Sequence, residues 1–222
     1  MMSNLSSRNN GFTLIEMAIV LLIMALAIGG GLAVISSQAE YQKFKETQKA
    51  LEEAKEALIG YAASRGGAGN PYLPCPDRTT GAGANDGAED RVGGAGTNCV
   101  VLEGNLPWVT LGLTGLDGWN NRIRYRISQQ AFATGFNTST AGALTINNAA
   151  GTNLATGIPV VLVSHGPNGW GAISSGGVAI GNPPAANVNE TENTGVAANA
   201  IYVSNPPVAA GLPGGEFDDI AT

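Results

Sequence analysis

Positive charge is scarce in this sequence. Lys and Arg number 11 against 17 Asp and Glu, a formal net charge of −6. No run of basic residues could neutralise a row of phosphates, which argues against a nucleic-acid partner. The chain has one histidine, His165, and two cysteines, Cys75 and Cys99, in no C-x-x-C pair. A zinc centre takes about four such ligands, so this inventory does not easily build one. There is no G-x-S-x-G, and a single histidine with no cysteine beside it leaves no credible triad. The sequence therefore predicts no catalytic residues and no enzyme; a membrane-anchored enzyme is the weakest of the readings below. The Gly-rich stretch 81–96 lacks both the lysine and the strand–loop–helix setting of a phosphate loop. Glycine itself is plentiful, 32 of 222 residues, about twice the usual share of roughly 7%. Most of it follows residue 65, so the second half should be rich in turns. The length suits one globular domain plus an appendage.

The N-terminus supplies the appendage. Residues 1–11 are polar with one positive charge, Arg8, and Phe12 to Ile35 is apolar with one charge, Glu16. A bilayer-spanning helix needs about 20 apolar residues. A span over 12–36, with Arg8 before it and acidic, polar sequence after it, puts the N-terminus in the cytoplasm. A secretory signal would have an apolar core of about 7–15 residues followed by a small-x-small cleavage site. Here the core is longer, and Gly11 stands before it. Glu16 within the span costs roughly 2.5–3.5 kcal/mol on insertion scales and needs a reason to be there. One reason is a position near the helix start, where a carboxylate favours the dipole. The other is a partner: a cut before Phe12 would create an α-amine, and a neighbouring subunit's Glu16 could pair with it and set the register between helices.

The run Gly11-Phe12-Thr13-Leu14-Ile15-Glu16, followed by an apolar helix, resembles the class III signal of type IV pilins and type II secretion pseudopilins. The resemblance implies that a prepilin peptidase cuts after Gly11 and methylates Phe12, and that Glu16 acts in assembly. The implied partners are the peptidase, other pilin or pseudopilin subunits and an inner-membrane assembly platform. The implied location is the bacterial inner membrane, single-pass, with the C-terminal domain periplasmic and the subunit in a filament after assembly.

Beyond Ser37 helix formers dominate, with no proline before Pro71. Phe44, Thr47, Leu51, Ala54, Leu58 and Tyr61 recur at alternating spacings of three and four, one face of an amphipathic helix. Lys45, Lys49, Glu52, Glu53 and Glu56 lie opposite. The stripe is too short for a coiled-coil stalk and better fits a face packed on its own domain. With Gly66-Gly67 as a stop, the helix runs from Phe12 to Ser64, about 53 residues and roughly 80 Å. Gly29-Gly30-Gly31 within it fits either close helix packing or local unwinding. The expected organisation is a leader over 1–11, a helix over 12–64 and a globular domain over 65–222.

In that domain, residues 65–105 read as a long loop. If the domain is exported, Cys75 and Cys99 predict one disulfide, with two free buried thiols as the alternative. The bridge would close about 25 residues and contribute about 3 kcal/mol. Arg122–Ile127 alternates as a half-buried strand, 159–164 is apolar enough for a central strand, and 200–204 is a third. Short strands with Gly- and Asn-rich turns favour an antiparallel sheet, and one long helix against it makes an α+β fold.

Three segments again resemble the pseudopilins: Asp117-Gly118-Trp119 through Tyr125, the turn Ser164–Gly169, and the terminal Glu216-Phe217-Asp218-Asp219-Ile220. The last implies a calcium site using Asp218 and Asp219 with carbonyls of the preceding turn; a solvated acidic tail is the alternative. Asp86, Glu89 and Asp90 form a second acidic group without EF-hand spacing. His165, beside Gly166 in a turn, is expected to be structural. The long insert at 170–199 and the Leu73–Pro76 and Cys99 features depart from the compact major pseudopilin and suggest a minor or accessory subunit. The function expected is a structural subunit of a type II secretion pseudopilus or type IV pilus-like filament; the alternative is a tip subunit or adhesin-type recognition module.

Overall fold

The first helix of the computed structural model, α1 (Leu14–Arg65), opens on a capping box. Thr13 N–H and Thr13 Oγ1 both donate to Glu16 Oε2, each at 2.8 Å, and Glu16 N–H donates back to Thr13 Oγ1 at 3.3 Å. The structure describes residues 13–65, 69–195, 199–208 and 216–222, without the side chains of 27–37. The leader, Gly11 and Phe12 lie outside the described residues.

The chain divides into two units, Met1–Gln42 and Lys43–Thr222. In the first, the backbone is helical through Gly29-Gly30-Gly31. Leu14, Ile15, Met17 and Leu26 are among its exposed apolar side chains. Among the described residues no helix is long and apolar enough to cross a membrane. The expected span, 12–36, falls partly outside them.

The second unit contains the rest of α1, then β1 (Glu103–Asn105), α2 (Trp108–Leu111), β2 (Arg124–Ile127), α3 (Ala131–Thr134), β3 (Leu144–Asn147), β4 (Asn153–Ile158), β5 (Val160–Ser164), α4 (Val188–Asn193), β6 (Ile201–Val203) and β7 (Ile220–Ala221). One sheet has the order β1-β2-β5-β7 and is antiparallel throughout. The helical stripe packs on it: Leu51, Ala54, Leu58 and Ala62 share a core with Ile123, Tyr125, Ile127 and Leu162. This is an α+β arrangement. Where α1 meets the Asp117–Trp119 loop, Gly118 N–H donates to Thr47 Oγ1 at 2.9 Å, and Phe44 meets Trp119 edge to face at 4.9 Å. A Cβ on Gly118 would collide with the Lys43 carbonyl, so only glycine permits that approach.

The sequence predicts one antiparallel sheet; among the described residues the domain has two. The second has the order β4-β3-β6, and its β3–β6 pair is parallel. A parallel neighbour needs a long crossover, which the segment containing α4 provides. Leu144, Ile146 and Tyr202 of this sheet bury Val161 and Val163 of β5. The face of β2 expected to meet solvent is therefore covered as well. Its Arg124 and Arg126 lie in a polar layer, both paired with Glu103, at 3.0 and 3.2 Å.

The stretch expected as loop contains no helix or strand over its described residues 69–102, yet polar groups tie it down. Cys75 and Cys99 are joined by a disulfide with their Cα atoms 5.3 Å apart. The buried Arg91 guanidinium pairs with Glu89 at 2.8 Å and donates to the carbonyls of Leu73, Thr97 and Ala133. Tyr61 of α1 donates to the other Glu89 oxygen at 2.9 Å.

Candidate functional site

The register of β5 against β7 builds the site. Val163 pairs with Ala221 and Ser164 with Ile220, which sets the residues just before β7, Asp218 and Asp219, against the turn His165–Gly169 that follows β5. Gly166 has φ +57°, and a Cβ there would collide with the carbonyl and carboxylate oxygens of Asp218. Glycine is thus required for both the turn and the approach.

A third carboxylate arrives from α4. One oxygen each of Glu190, Asp218 and Asp219 lie within 4.8 Å of one another. All three residues are buried, at 0%, 7% and 3% exposure. Asn168 Nδ2 and Asn187 Nδ2 donate to the two Glu190 oxygens at 2.8 and 3.0 Å, and Asn168 N–H donates to Asp218 Oδ2 at 3.2 Å. The remaining oxygens, Asp218 Oδ1 and both of Asp219, are buried without a hydrogen-bond partner. Burial, with the charges of Glu190, Asp219 and Glu216, pushes the Asp218 carboxyl up to about 8 against the opposing Asn168 N–H. Buried carboxylates with orphaned oxygens cost several kcal/mol unless something neutralises them. A proton or a cation can do so, and a donor set made only of oxygens suits calcium. The residues present fit such an ion.

The turn 164–169 and the pair Asp218–Asp219, singled out from the sequence, come together here, and neither aspartate is a solvated tail. Glu190 lies in the stretch 170–199, which the sequence presents only as a long Gly- and Asn-rich insert; the Asn187-x-x-Glu190 pattern that opens α4 is the available signal. His165 is fully buried, with Nε2 3.1 Å from Arg124 Nε and Nδ1 3.5 Å from Asp219 Oδ1. The second acidic group serves other ends: Glu89 holds Arg91, Asp90 pairs with Arg78 at 2.6 Å, and Asp86 accepts from Ala88 N–H.

At the N-terminus Glu16 has the intrachain partner Thr13, legible in the sequence as T-x-x-E and missed there. Elsewhere an open apolar groove of about 510 Å³ lies between α1 and β5, with Leu58, Ile59, Phe132, Phe136, Ile158 and Val160 in its walls.

The prokaryotic N-terminal methylation motif matches residues 6–32. No curated protein and no solved structure matches the chain. The motif covers Gly11, Phe12 and Glu16 and is the signal of pilin- and pseudopilin-type proteins, which are processed by a prepilin peptidase and assemble with other pilins.

Proposed function

We propose that this chain is the precursor of a pilin-like filament subunit, most simply a minor or accessory subunit of a type II secretion pseudopilus or type IV pilus-like assembly. The observation that carries the reading is the methylation motif over 6–32. The motif supports a reading in which the chain is cut after Gly11 and methylated at Phe12, with residues 12–36 as the membrane span, the N-terminus cytoplasmic and the domain on the far side. Glu16 pairs with the Phe12 amine of a neighbouring subunit and sets register. The acidic cluster takes a calcium ion held by Glu190, Asp218 and Asp219; the ion supplies positive charge that pins the C-terminal strand and α4 to the turn after β5. Support for the domain's role comes from the packing of the 43–65 portion of α1 across an antiparallel sheet.

The groove beside Ile59 and Phe136 favours a second reading, a tip or recognition subunit that captures an apolar segment of a ligand. Sheared filaments labelled with an antibody to the 43–222 domain separate the two. Label along the filament supports the first, label confined to the tip supports the second, and filaments without label contradict both.

A further inference from the structure

The strand β7 covers only part of the β5 edge. Val163 pairs with Ala221 and Ser164 with Ile220, and Leu162 and Thr222 exchange both backbone bonds at 2.9 Å. In an antiparallel ladder the residues that exchange bonds with one neighbour recur at every second position. Leu162 is such a residue on the β7 side, so Val160 is the next. Its register against β2 agrees. Val160 lies opposite Ile127, whose N–H donates the other way, to the Leu102 carbonyl at 3.0 Å. Val160 N–H and C=O therefore point into the lane of β7, past Thr222. Among the described residues no strand lies there.

The same lane opens on the apolar groove of about 510 Å³ between α1 and β5. Val160, Leu162 and Thr222 all line that groove. Alternate residues of a strand face one side of its sheet, and residues paired across an antiparallel ladder share a face. A residue paired with Val160 thus turns its side chain into the groove, toward Leu58, Ile59 and Phe136. Ile59 is 70% exposed, and Val160 and Phe136 are only half-buried. The volume falls within the roughly 300–1,000 Å³ of ligand pockets. Lys55 is the one ionisable side chain in the walls, which disfavours a basic occupant.

We propose that the groove is a strand-addition site: an extended segment of another polypeptide takes the lane past Thr222, exchanges backbone hydrogen bonds with Val160 and buries a large apolar side chain between α1 and β5. A hydrocarbon chain could fill the apolar walls but offers Val160 no hydrogen bond, whereas an extended peptide meets both demands. Backbone pairing supplies affinity, and the groove selects Leu-like over charged side chains. The inference rests on the reading of the groove as a place of capture and names what is captured. It holds wherever in a filament the subunit stands.

The test uses the full-length chain, ¹⁵N-labelled, in phospholipid nanodiscs. The probe is the capped peptide acetyl-Thr-Leu-Thr-Leu-Thr-amide, titrated to millimolar concentration. One analogue is methylated on the backbone nitrogens of both leucines, which face Val160 in the paired state. A second is methylated on the nitrogen of the central threonine, which faces away. The expected result is a saturable shift of the Val160 amide signal. Methylation at the leucines should weaken binding about tenfold or more, and methylation at the threonine should change it little. Ile59→Glu should abolish binding; the position is exposed, so the core stays intact. Equal binding of all three peptides overturns strand addition and leaves a plain apolar pocket. Binding of lauric acid without binding of the peptide makes a lipid chain the occupant. Dimerisation that Ile59→Glu abolishes, again without peptide binding, makes a second copy the occupant. Either result overturns the inference while keeping the groove as a binding site. No response to peptide or lauric acid and no dimerisation removes the capture reading itself, and the inference with it.

Discussion

Thr13 and Glu16 satisfy one another at the start of α1: the threonine's backbone N–H and hydroxyl both donate to the same carboxylate oxygen of Glu16, at 2.8 Å each. The bonds tie up Oε2. Oε1 stays available, so the cap and a pairing with a neighbouring Phe12 amine are compatible rather than exclusive. The two roles separate by mutation. Glu16→Ala should insert normally, since it removes a charge from the span, yet give little filament. Thr13→Ala removes part of the cap, at a cost of about 0.5–2 kcal/mol to helix stability, and should assemble close to normally. Filament yield against membrane-fraction yield checks both. Equal losses would reduce Glu16 to a capping residue, and normal assembly of Glu16→Ala would remove the register role.

The acidic cluster should respond to calcium. A ligand bound only by the folded state adds about 2.7 kcal/mol at a hundredfold excess over its Kd, so the chain should melt higher in millimolar calcium than in chelator. Asp219→Asn and Glu190→Gln should each erase most of that difference, and magnesium should substitute poorly because it prefers a tighter octahedral shell. Identical curves in calcium and chelator would leave the cluster neutralised by protons.

The Cys75–Cys99 bridge closes a segment with a sequence separation of 24. Cys75→Ser with Cys99→Ser should lower stability by about 3 kcal/mol, mainly by freeing the unfolded chain. Non-reducing peptide mapping of protein from cells should recover the two cysteines as one linked peptide. Two alkylatable thiols in the native protein would contradict the bridge.

Asp77 offers a pH test away from the acidic cluster. It is fully buried, and its Oδ1 has no partner. Burial is the main cause that raises its carboxyl above the usual range, against the bonds from Asn105 and Gly87. In the unfolded chain an aspartate titrates near about 3.9. Folding therefore takes up a proton between that value and the higher folded one, and the stabilisation present below about 3.9 is lost as pH rises through the folded value. Asp77→Asn should flatten that part of the stability–pH curve and melt higher above it. An unchanged slope would assign the pH dependence elsewhere.

Much of this was legible in the sequence because periodicity survives translation into structure. Leu51, Ala54 and Leu58 of the stripe pack on the sheet while Phe44 and Tyr61 at its ends meet Trp119 and Glu89, and the alternation at 122–127 and the apolar run at 159–164 become β2 and β5. The second sheet was not legible. Leu144–Asn147 is too short and Asn153–Ile158 too exposed to stand out, and their stability derives from tertiary pairing with β6 across a long crossover. The same holds at the site. Asp218 and Asp219 are neighbours in sequence, whereas Glu190, Arg124 and His165 reach them only through the register of β5 with β7 and β2. Nor did the glycine-rich look of 69–102 reveal that Arg91 organises it, since one buried guanidinium does what several apolar side chains would otherwise do.

The claim on which the rest depends is that the chain is processed as a prepilin. Mass spectrometry of the protein isolated from membranes of cells with an active prepilin peptidase tests it directly. The account predicts a mature N-terminus at Phe12 carrying one added methyl group, with residues 1–11 gone. An intact Met1, or a new N-terminus beyond Ile35, would contradict it.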